Sequence, residues 1–368
     1  MTRPSIHFTR RSFLVGAAAT AGCASLRILP ASAEAKSLCA YAAEKGILFG
    51  SAISIPGLRD VAYSAVIGGQ CGITVPENAL KWAALRPKPD IYDFKDGDLL
   101  YEFSKSHGMP YRGHALVWHG GLPKWFGGVV NAGNARTMME QHISTVVRHY
   151  AGKMHSWDVI NEVVEIPDGR PDGLRLTPWL QTLGPDYIEM AFRAAHEADP
   201  SATLVYNENF LEPETAATES KRTAVLNLIT TLKKRGVPFQ ALGIQSHLYA
   251  EAFTTGPNFR HFLDAIADLG LTIFITEMDV RDKNLPADIA ARDRVVADQY
   301  FNYLSFVLQC KAVKAVLTWG LSDRYTWLAD SQPRPDRLPV RPLPYDAELN
   351  AGPSWDAIRR AFQEARRS

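Results

Sequence analysis

The stretch "MHSWDVINE" (residues 154–162), followed by "DYIEMAFRAAHEADP" (186–200) and "TLVYNEN" (203–209), decides how this chain folds. The first and third pieces are short runs rich in β-branched and aromatic residues, whereas the second carries apolar residues at helical spacing. Strand, helix, strand is the unit of a parallel sheet, because parallel neighbours need a crossover of a dozen or more residues. Further β-rich runs are "GILFGSAIS" (46–54), "CGITVPE" (71–77), "PYRGHALVW" (110–118), "ALGIQSHL" (241–248), "LTIFITEMD" (271–279) and "KAVLTWGLS" (314–322), making eight in all. Between two of them, "RTAVLNLITTLKKRG" (222–236) reads as a helix with basic residues in its last turn and a glycine stop. Eight alternations over roughly 280 residues predict an α/β fold, a single (β/α)8 TIM barrel. A doubly wound open sheet would be expected to show a Gly-rich phosphate turn after its first strand, and "FGSAIS" is not one. No low-complexity linker divides residues 40–368. The Pro-rich stretch 333–344 reads as a long rim loop, since "YDAELNAGPSWDAIRRAF" (345–362) after it has the pattern of a domain-closing helix.

Composition narrows the function. The chain has 368 residues, 46% hydrophobic and 21% charged, in the ordinary globular range. Its net charge of +1 hides an asymmetry, because residues 1–33 hold four arginines (Arg3, Arg10, Arg11, Arg27) and no acid. Without them 36 basic residues face 39 acidic ones, about −3, so no basic surface remains to collect phosphates and no nucleic-acid partner is expected.

That first segment has the form of an export signal. "TRRSFLV" (9–15) precedes an Ala-rich apolar run and then "ASA" (31–33), a small-x-small cleavage pattern. Residues 1–33 are read as a twin-arginine signal peptide and 34–368 as one catalytic barrel, periplasmic or extracellular after cleavage near Ala33–Glu34. The apolar run is too short for a stable membrane span. Lipid attachment at Cys23 of "TAGC" is a weaker alternative, because Thr20 stands where such signals prefer Leu. Cys39, Cys71 and Cys310 would survive cleavage; their spacing fits no zinc motif, and an odd count argues against a disulfide scaffold. Cys71 and Cys310 read as small buried apolar residues.

In a barrel of this kind the C-terminal strand ends and the following loops form the active face. The runs place there Glu77 and Asn78, His114 with Trp118 and His119, Asn161 and Glu162, Asn207, Gln245 and His247, Glu277 and Asp279, and Trp319. A single strand-end Asn or Glu can simply cap the next helix. A whole ring of amides, imidazoles, acids and indoles is costly to desolvate without a ligand. His114 and His119 are five apart, suited to neither a strand pair nor a helical pair of metal ligands, and no Gly-x-Ser-x-Gly elbow occurs. What remains is carboxylates among hydrogen-bonding groups and flat indole faces, the minimum apparatus for breaking a glycosidic bond.

These residues carry a resemblance. From about residue 44 to 362 the sequence resembles the family 10 glycoside hydrolases, the (β/α)8-barrel xylanases. Eight pieces follow in family order: "PENALKW" (76–82), "RGHALVWHGGLPKW" (112–125), "WDVINE" (157–162), "LRLTPW" (174–179), "AFRAAHEADP" (191–200), "GIQSHL" (243–248), "ITEMD" (275–279) and "LTWGLSDRYTW" (317–327). The resemblance implies Glu162, at the end of the fourth run, as acid/base and Glu277, at the end of the seventh, as nucleophile. It also implies retention of anomeric configuration and carboxyl groups about 5–5.5 Å apart. Glu277 must then be ionised, supported by His247, itself oriented by Asp279. Glu162 must hold its proton near neutral pH, and a neighbouring negative charge favours that form.

Asn161 would hold the sugar 2-hydroxyl. Glu77, Asn78, Lys81, His114, Trp118 and Gln245 resemble the residues lining the glycone subsites. Trp319 and Trp327 look like rim indoles that crowd a sugar's exocyclic carbon and favour xylose. The implied substrate is xylan or a xylo-oligosaccharide, with no cofactor and no metal, acted on by a monomer without an attached carbohydrate-binding module. Two departures concern the acceptor side: "WHGG" puts Gly120 and Gly121 where the family usually has Ser-Gln, and "YNENF" (206–210) replaces Tyr-Asn-Asp-Tyr-Asn. Retaining chemistry on another β-glycan or on short xylo-oligosaccharides stays open, as does a non-catalytic glycan-binding barrel; such a decayed site would be expected to have lost a carboxylate.

Replacing the paired arginines with Arg10→Lys and Arg11→Lys is expected to trap the protein in the cytoplasm unprocessed. Fractionation that still finds mature protein outside at the normal rate would reject the export reading.

Overall fold

The computed structural model describes residues 36–366. Nine strands run in chain order: β1 Leu48–Ile53, β2 Thr74–Pro76, β3 Tyr111–Gly113, β4 Met154–Asn161, β5 Thr203–Glu208, β6 Ala241–Ile244, β7 His247–Tyr249, β8 Thr272–Arg281 and β9 Val313–Thr318. Each strand pairs in parallel with its neighbour from β1 to β6; β6 pairs with β8, β8 with β9, and β9 with β1, so eight strands close on themselves. The expected TIM barrel is present, and its closure leaves no open sheet edge among those eight strands.

The ninth strand is a departure. The sixth β-rich run was expected to be one strand over 241–248, but it breaks at Gln245–Ser246, where Ser246 takes φ +62°. The chain then re-forms β7, which pairs with the tail of β8 through His247–Asp279, Leu248–Val280 and Tyr249–Arg281. Glu277 is correspondingly not the last residue of its strand, since β8 continues to Arg281. Glu162 lies one residue beyond β4, with φ +55°.

Helices cross over between the strands. The expected helices appear at Tyr187–Ala198 and Ala216–Lys234. The second begins earlier than its apolar spacing suggested, because the Thr215 hydroxyl caps it by accepting from the Thr218 N–H at 3.2 Å. It stops where expected, just before Gly236 at φ +65°. The closing helix Pro353–Glu364 packs on Leu38–Ala43 and Ile289–Val307, with Phe362 edge-on to Phe49 at 5.7 Å. The Pro-rich loop does lie along the rim: Val280 N–H donates to the Pro342 carbonyl, and Arg334 pairs with Asp336 at 2.6 Å.

Side-chain alternation separates two cores. On β1, Phe49 and Ile53 join the large sheet-to-helix core, while Ala52 points into a smaller cluster inside the barrel with Val75, Val205, Phe274 and Leu317. Cys71 and Cys310 are buried free thiols, as expected, and Cys39 is half-buried. Cys23 and the export segment lie outside the described residues. No described helix is long and apolar enough to cross a membrane.

Gly50 marks how tightly the barrel is closed: a Cβ there would sit 1.8 Å from the Ile73 carbonyl oxygen, a backbone atom that cannot move aside alone. Gly50→Ala should therefore destabilise the fold by about 3 kcal/mol. An unchanged urea midpoint would show that the strands tolerate separation there.

Candidate active site

Both predicted carboxylates line one cavity of about 250 Å³ at the C-terminal mouth of the barrel. The position follows from local structure. Side chains that point inward at the upper end of a barrel strand meet over the interior layer, and Glu277 on β8 is such a residue. Glu162 arrives differently, through a left-handed backbone conformation that a non-glycine residue holds at a cost of about 1–3 kcal/mol. Its N–H donates to the Asn207 carbonyl at 3.0 Å and its carbonyl accepts from Arg175 Nε at 2.8 Å, which fixes the turn on both sides.

A relay of amides joins the two acids. Gln245 Nε2 donates to Glu162 Oε1 at 2.9 Å and lies 3.3 Å from Asn161 Oδ1. Asn207 Nδ2 donates to that same Asn161 oxygen at 2.9 Å and to Glu277 Oε1 at 2.7 Å. Thr276 Oγ1 donates to Asn207 Oδ1 at 2.7 Å, orienting the amide so that its NH2 faces the carboxylate. With its oxygen occupied, Asn161 leaves its own buried Nδ2 without a protein partner. A buried donor in that state is suited to a ligand oxygen.

Glu277 is buried, yet its carboxyl is held below the usual range. Burial alone would raise its carboxyl. The charge of His114, the hydrogen bond and charge of His247, and the charge of Lys81 outweigh that and hold it at about 2. His247 Nε2 lies 3.3 Å from Glu277 Oε2, and its Nδ1 lies 3.0 Å from Asp279 Oδ2. Burial would lower the imidazole, but Asp279 and then Glu277 raise it to about 10. Asp279 is itself held by Trp327 Nε1 at 2.8 Å. The predicted chain Asp279–His247–Glu277 is therefore assembled, with Trp327 as an anchor that sequence reading assigned only to the rim.

The remaining predicted residues come together as well. Lys81, His114, Trp118, Trp319 and Trp327 line the cavity with the amides. Glu77 and Asn78 stand beside it in a hydrogen-bonded row, Asn78 Nδ2 to Glu77 at 3.2 Å and Lys81 Nζ to Asn78 at 2.9 Å. Burial lowers the Lys81 ammonium against the pull of Glu277, Glu77 and Glu162, and burial raises Glu77 against Lys81. His119 Nε2 approaches Glu162 Oε2 at 4.0 Å, and its imidazole is lowered by burial and by the charge of Arg175.

Several contributors were not assigned a role from sequence. Asn207 was legible as a strand-end amide but not as the donor to Glu277. Asp158 carries no strand-end signal, yet it receives His114 Nδ1 at 2.9 Å and the buried Arg112 at 2.8 Å, setting the imidazole from beneath. Phe210 and Arg281 reach the cavity only because of loop geometry and the extension of β8. Among the described residues no three His, Cys, Asp or Glu side chains are arranged to share a metal ion.

The family model for glycosyl hydrolase family 10 matches residues 37–361. The chain belongs to glycosyl hydrolase family 10. It is thus a glycoside hydrolase. Endo-1,4-beta-xylanase 5 of Pyricularia oryzae is 32% identical over 334 residues, covering 89% of this chain and 78% of that protein. Xylanase 10B of Thermotoga maritima superposes with a TM-score of 0.81 at 33% identity, over 89% of this chain and 98% of that one. Xylanase 10B of Thermotoga petrophila, solved in complex with xylobiose, gives the same TM-score of 0.81 and 33% identity over 89% of this chain and 97% of its own.

The electrostatics predict a pH signature. Glu277 is held below its ordinary 4.5 at about 2, so its ionised form contributes stability that is complete above about pH 4.5 and is lost as pH falls towards 2. His247 is raised from 6.5 to about 10, so its contribution is complete below about pH 6.5 and is lost as pH rises towards 10. The Tm difference between wild type and Glu277→Gln should shrink across the acid window. The difference between wild type and His247→Gln should shrink across the alkaline one. Parallel Tm curves would contradict the charge network.

Proposed function

We propose that this glycoside hydrolase is an endo-1,4-β-xylanase that cleaves internal xylosidic bonds with retention, by double displacement. The observation that supports the reading is the unequal pair of acids in one cavity: an ionised Glu277 surrounded by cationic groups, and Glu162 reaching it through Gln245, Asn161 and Asn207.

In the first step Glu277 attacks the anomeric carbon while Glu162 gives its proton to the departing glycosidic oxygen, leaving a glycosyl ester on Glu277. The ester is uncharged, so the cations that held the carboxylate no longer have their anion, and the adduct is poised to revert or hydrolyse. Glu162, now ionised, takes a proton from water as that water attacks the same carbon, and Glu277 departs as a carboxylate. Asn161 Nδ2 is the donor available to the sugar hydroxyl next to the reacting carbon, where a hydrogen bond that strengthens in the transition state lowers the barrier. Trp118, Trp319 and Trp327 offer flat apolar faces to sugar rings. Trp319 stands edge-on to His114 at 5.2 Å, and Trp327 is tied to Asp279, so neither indole is free to swing away from a bulkier sugar. The xylan substrate is inferred from this crowding and from the xylanase names of the relatives. We propose in addition that residues 1–33 direct export by the twin-arginine route.

Glu277→Ala should abolish xylan hydrolysis, and azide should restore turnover of an aryl xyloside with a good leaving group, giving the α-azide. In the wild type, proton NMR of the first product should show the β-anomer before mutarotation. Initial α-product, or an azide-independent Glu277→Ala enzyme, would overturn the double-displacement assignment.

A further inference from the structure

Arg281 is the last residue of β8, within the part of that strand paired only by β7. Its side chain lines the cavity and is 94% buried, at 6% exposure. A buried guanidinium normally finds a carboxylate or several carbonyls, because its five N–H donors are expensive to leave unmet. The other buried arginines here obey that rule. Arg112 pairs with Asp158, Arg222 with Glu219, Arg292 with Asp282 and Arg334 with Asp336, while Arg86 bonds to the Pro89 and Met138 carbonyls and to Gln141.

Arg281 does not. Its one hydrogen bond runs from an Nη to the neutral Tyr249 hydroxyl at 2.6 Å; its buried Nε has no partner, as in Arg112 and Arg292, but unlike those two it has no carboxylate on its other nitrogens. Aromatic faces surround it instead: Tyr249, Trp327 and Phe210 rings lie 4.7, 5.7 and 5.9 Å from its Cζ. Those faces shield the cation from water without neutralising it, and no described carboxylate is within ion-pair distance. Around the barrel, β6 with its β7 extension stands four strands from β2, so Tyr249 lies across the mouth from the Glu77–Asn78–Lys81 row that follows β2. If that row holds the glycone, Arg281 faces the acceptor side.

We infer that Arg281 is a specificity residue that binds the carboxylate of a uronic acid substituent on the acceptor portion of the xylan chain. The inference rests on the xylan reading of the cavity. A planar guanidinium recognises a carboxylate with two parallel hydrogen bonds, and the low-dielectric aromatic collar strengthens them. The register of β7 on β8 sets the site by placing Tyr249 opposite Arg281, where its hydroxyl accepts from one Nη of a side chain that lines the cavity. Phe210, held at φ +51° at the cavity lip, supplies an apolar wall for the substituent's ring.

The test compares glucuronoxylan with the same polymer after chemical reduction of its uronic acids to neutral sugars, which removes the charge and keeps the branch. Specificity constants are taken as a ratio within each enzyme form, so an overall loss of activity in a variant does not disturb the comparison. Wild type should favour the acidic polymer by ~10-fold at low salt, the value of a charge-assisted hydrogen bond, and products should carry the uronate at or near the new non-reducing end. Arg281→Gln should bring the ratio to one, and Arg281→Lys should retain part of it, more so at low ionic strength. A wild-type ratio of one, or a preference that survives in Arg281→Gln, would overturn the assignment, and the wild-type arm stands even should a variant fail to fold. No hydrolysis of unbranched xylan at all would instead reject the xylanase reading itself.

Discussion

Burying one negative charge governs the architecture of this site. A carboxylate withdrawn from water either takes up a proton or is met by cations and hydrogen-bond donors. Glu277 is met on every side. Lys81 comes from the loop after β2, His114 from beyond β3, Asn207 from β5 and His247 from β7, so four separate strand connections converge on one side chain. Each of these partners is itself held by a second residue: Asn78 for Lys81, Asp158 for His114, Thr276 for Asn207 and Asp279 for His247. Mutual support of this kind makes a site stiff.

The second carboxylate is placed by opposite means. Glu162 touches no described cation at hydrogen-bond distance, and its one close donor is a neutral amide that also serves Asn161. Its backbone, bent into the left-handed region, turns the side chain into the mouth of the barrel rather than along the sheet. The two acids thus share a cavity and a hydrogen-bonded amide relay but differ in what surrounds them. The double displacement proposed above would use that difference in surroundings, with one carboxyl as proton donor and the other as attacking group.

The wall of the cavity has its own electrostatic logic. Asp279, His247 and Trp327 form a row that faces Glu277 on one side and the collar of Arg281 on the other. Trp327 consequently does two things: it bonds to the carboxylate that orients the imidazole, and it offers a face to the guanidinium. That one indole therefore touches both the row that supports Glu277 and the collar of Arg281.

Much was legible in the residues alone. Eight β-rich runs with helices between them leave few alternatives to a closed parallel barrel, because strand period, crossover length and the absence of a phosphate turn all act locally along the chain. Polar residues ending apolar runs marked Glu162, Asn161, Gln245, His247 and Glu277 for the same reason: a hydrophobic strand that stops on a carboxylate or amide needs a use for it. Tertiary structure decided what local pattern cannot carry. The split of the sixth run into β6 and β7 depends on Ser246 and on the tail of β8 offering a partner edge. That split carries β8 past Glu277 to Arg281. Asp158 sits mid-strand, where one inward carboxylate looks like any other polar residue until Arg112 and His114 are seen to meet it. Periodicity tells a side chain which face to take; only the closing of the barrel tells it which distant side chain it will face there.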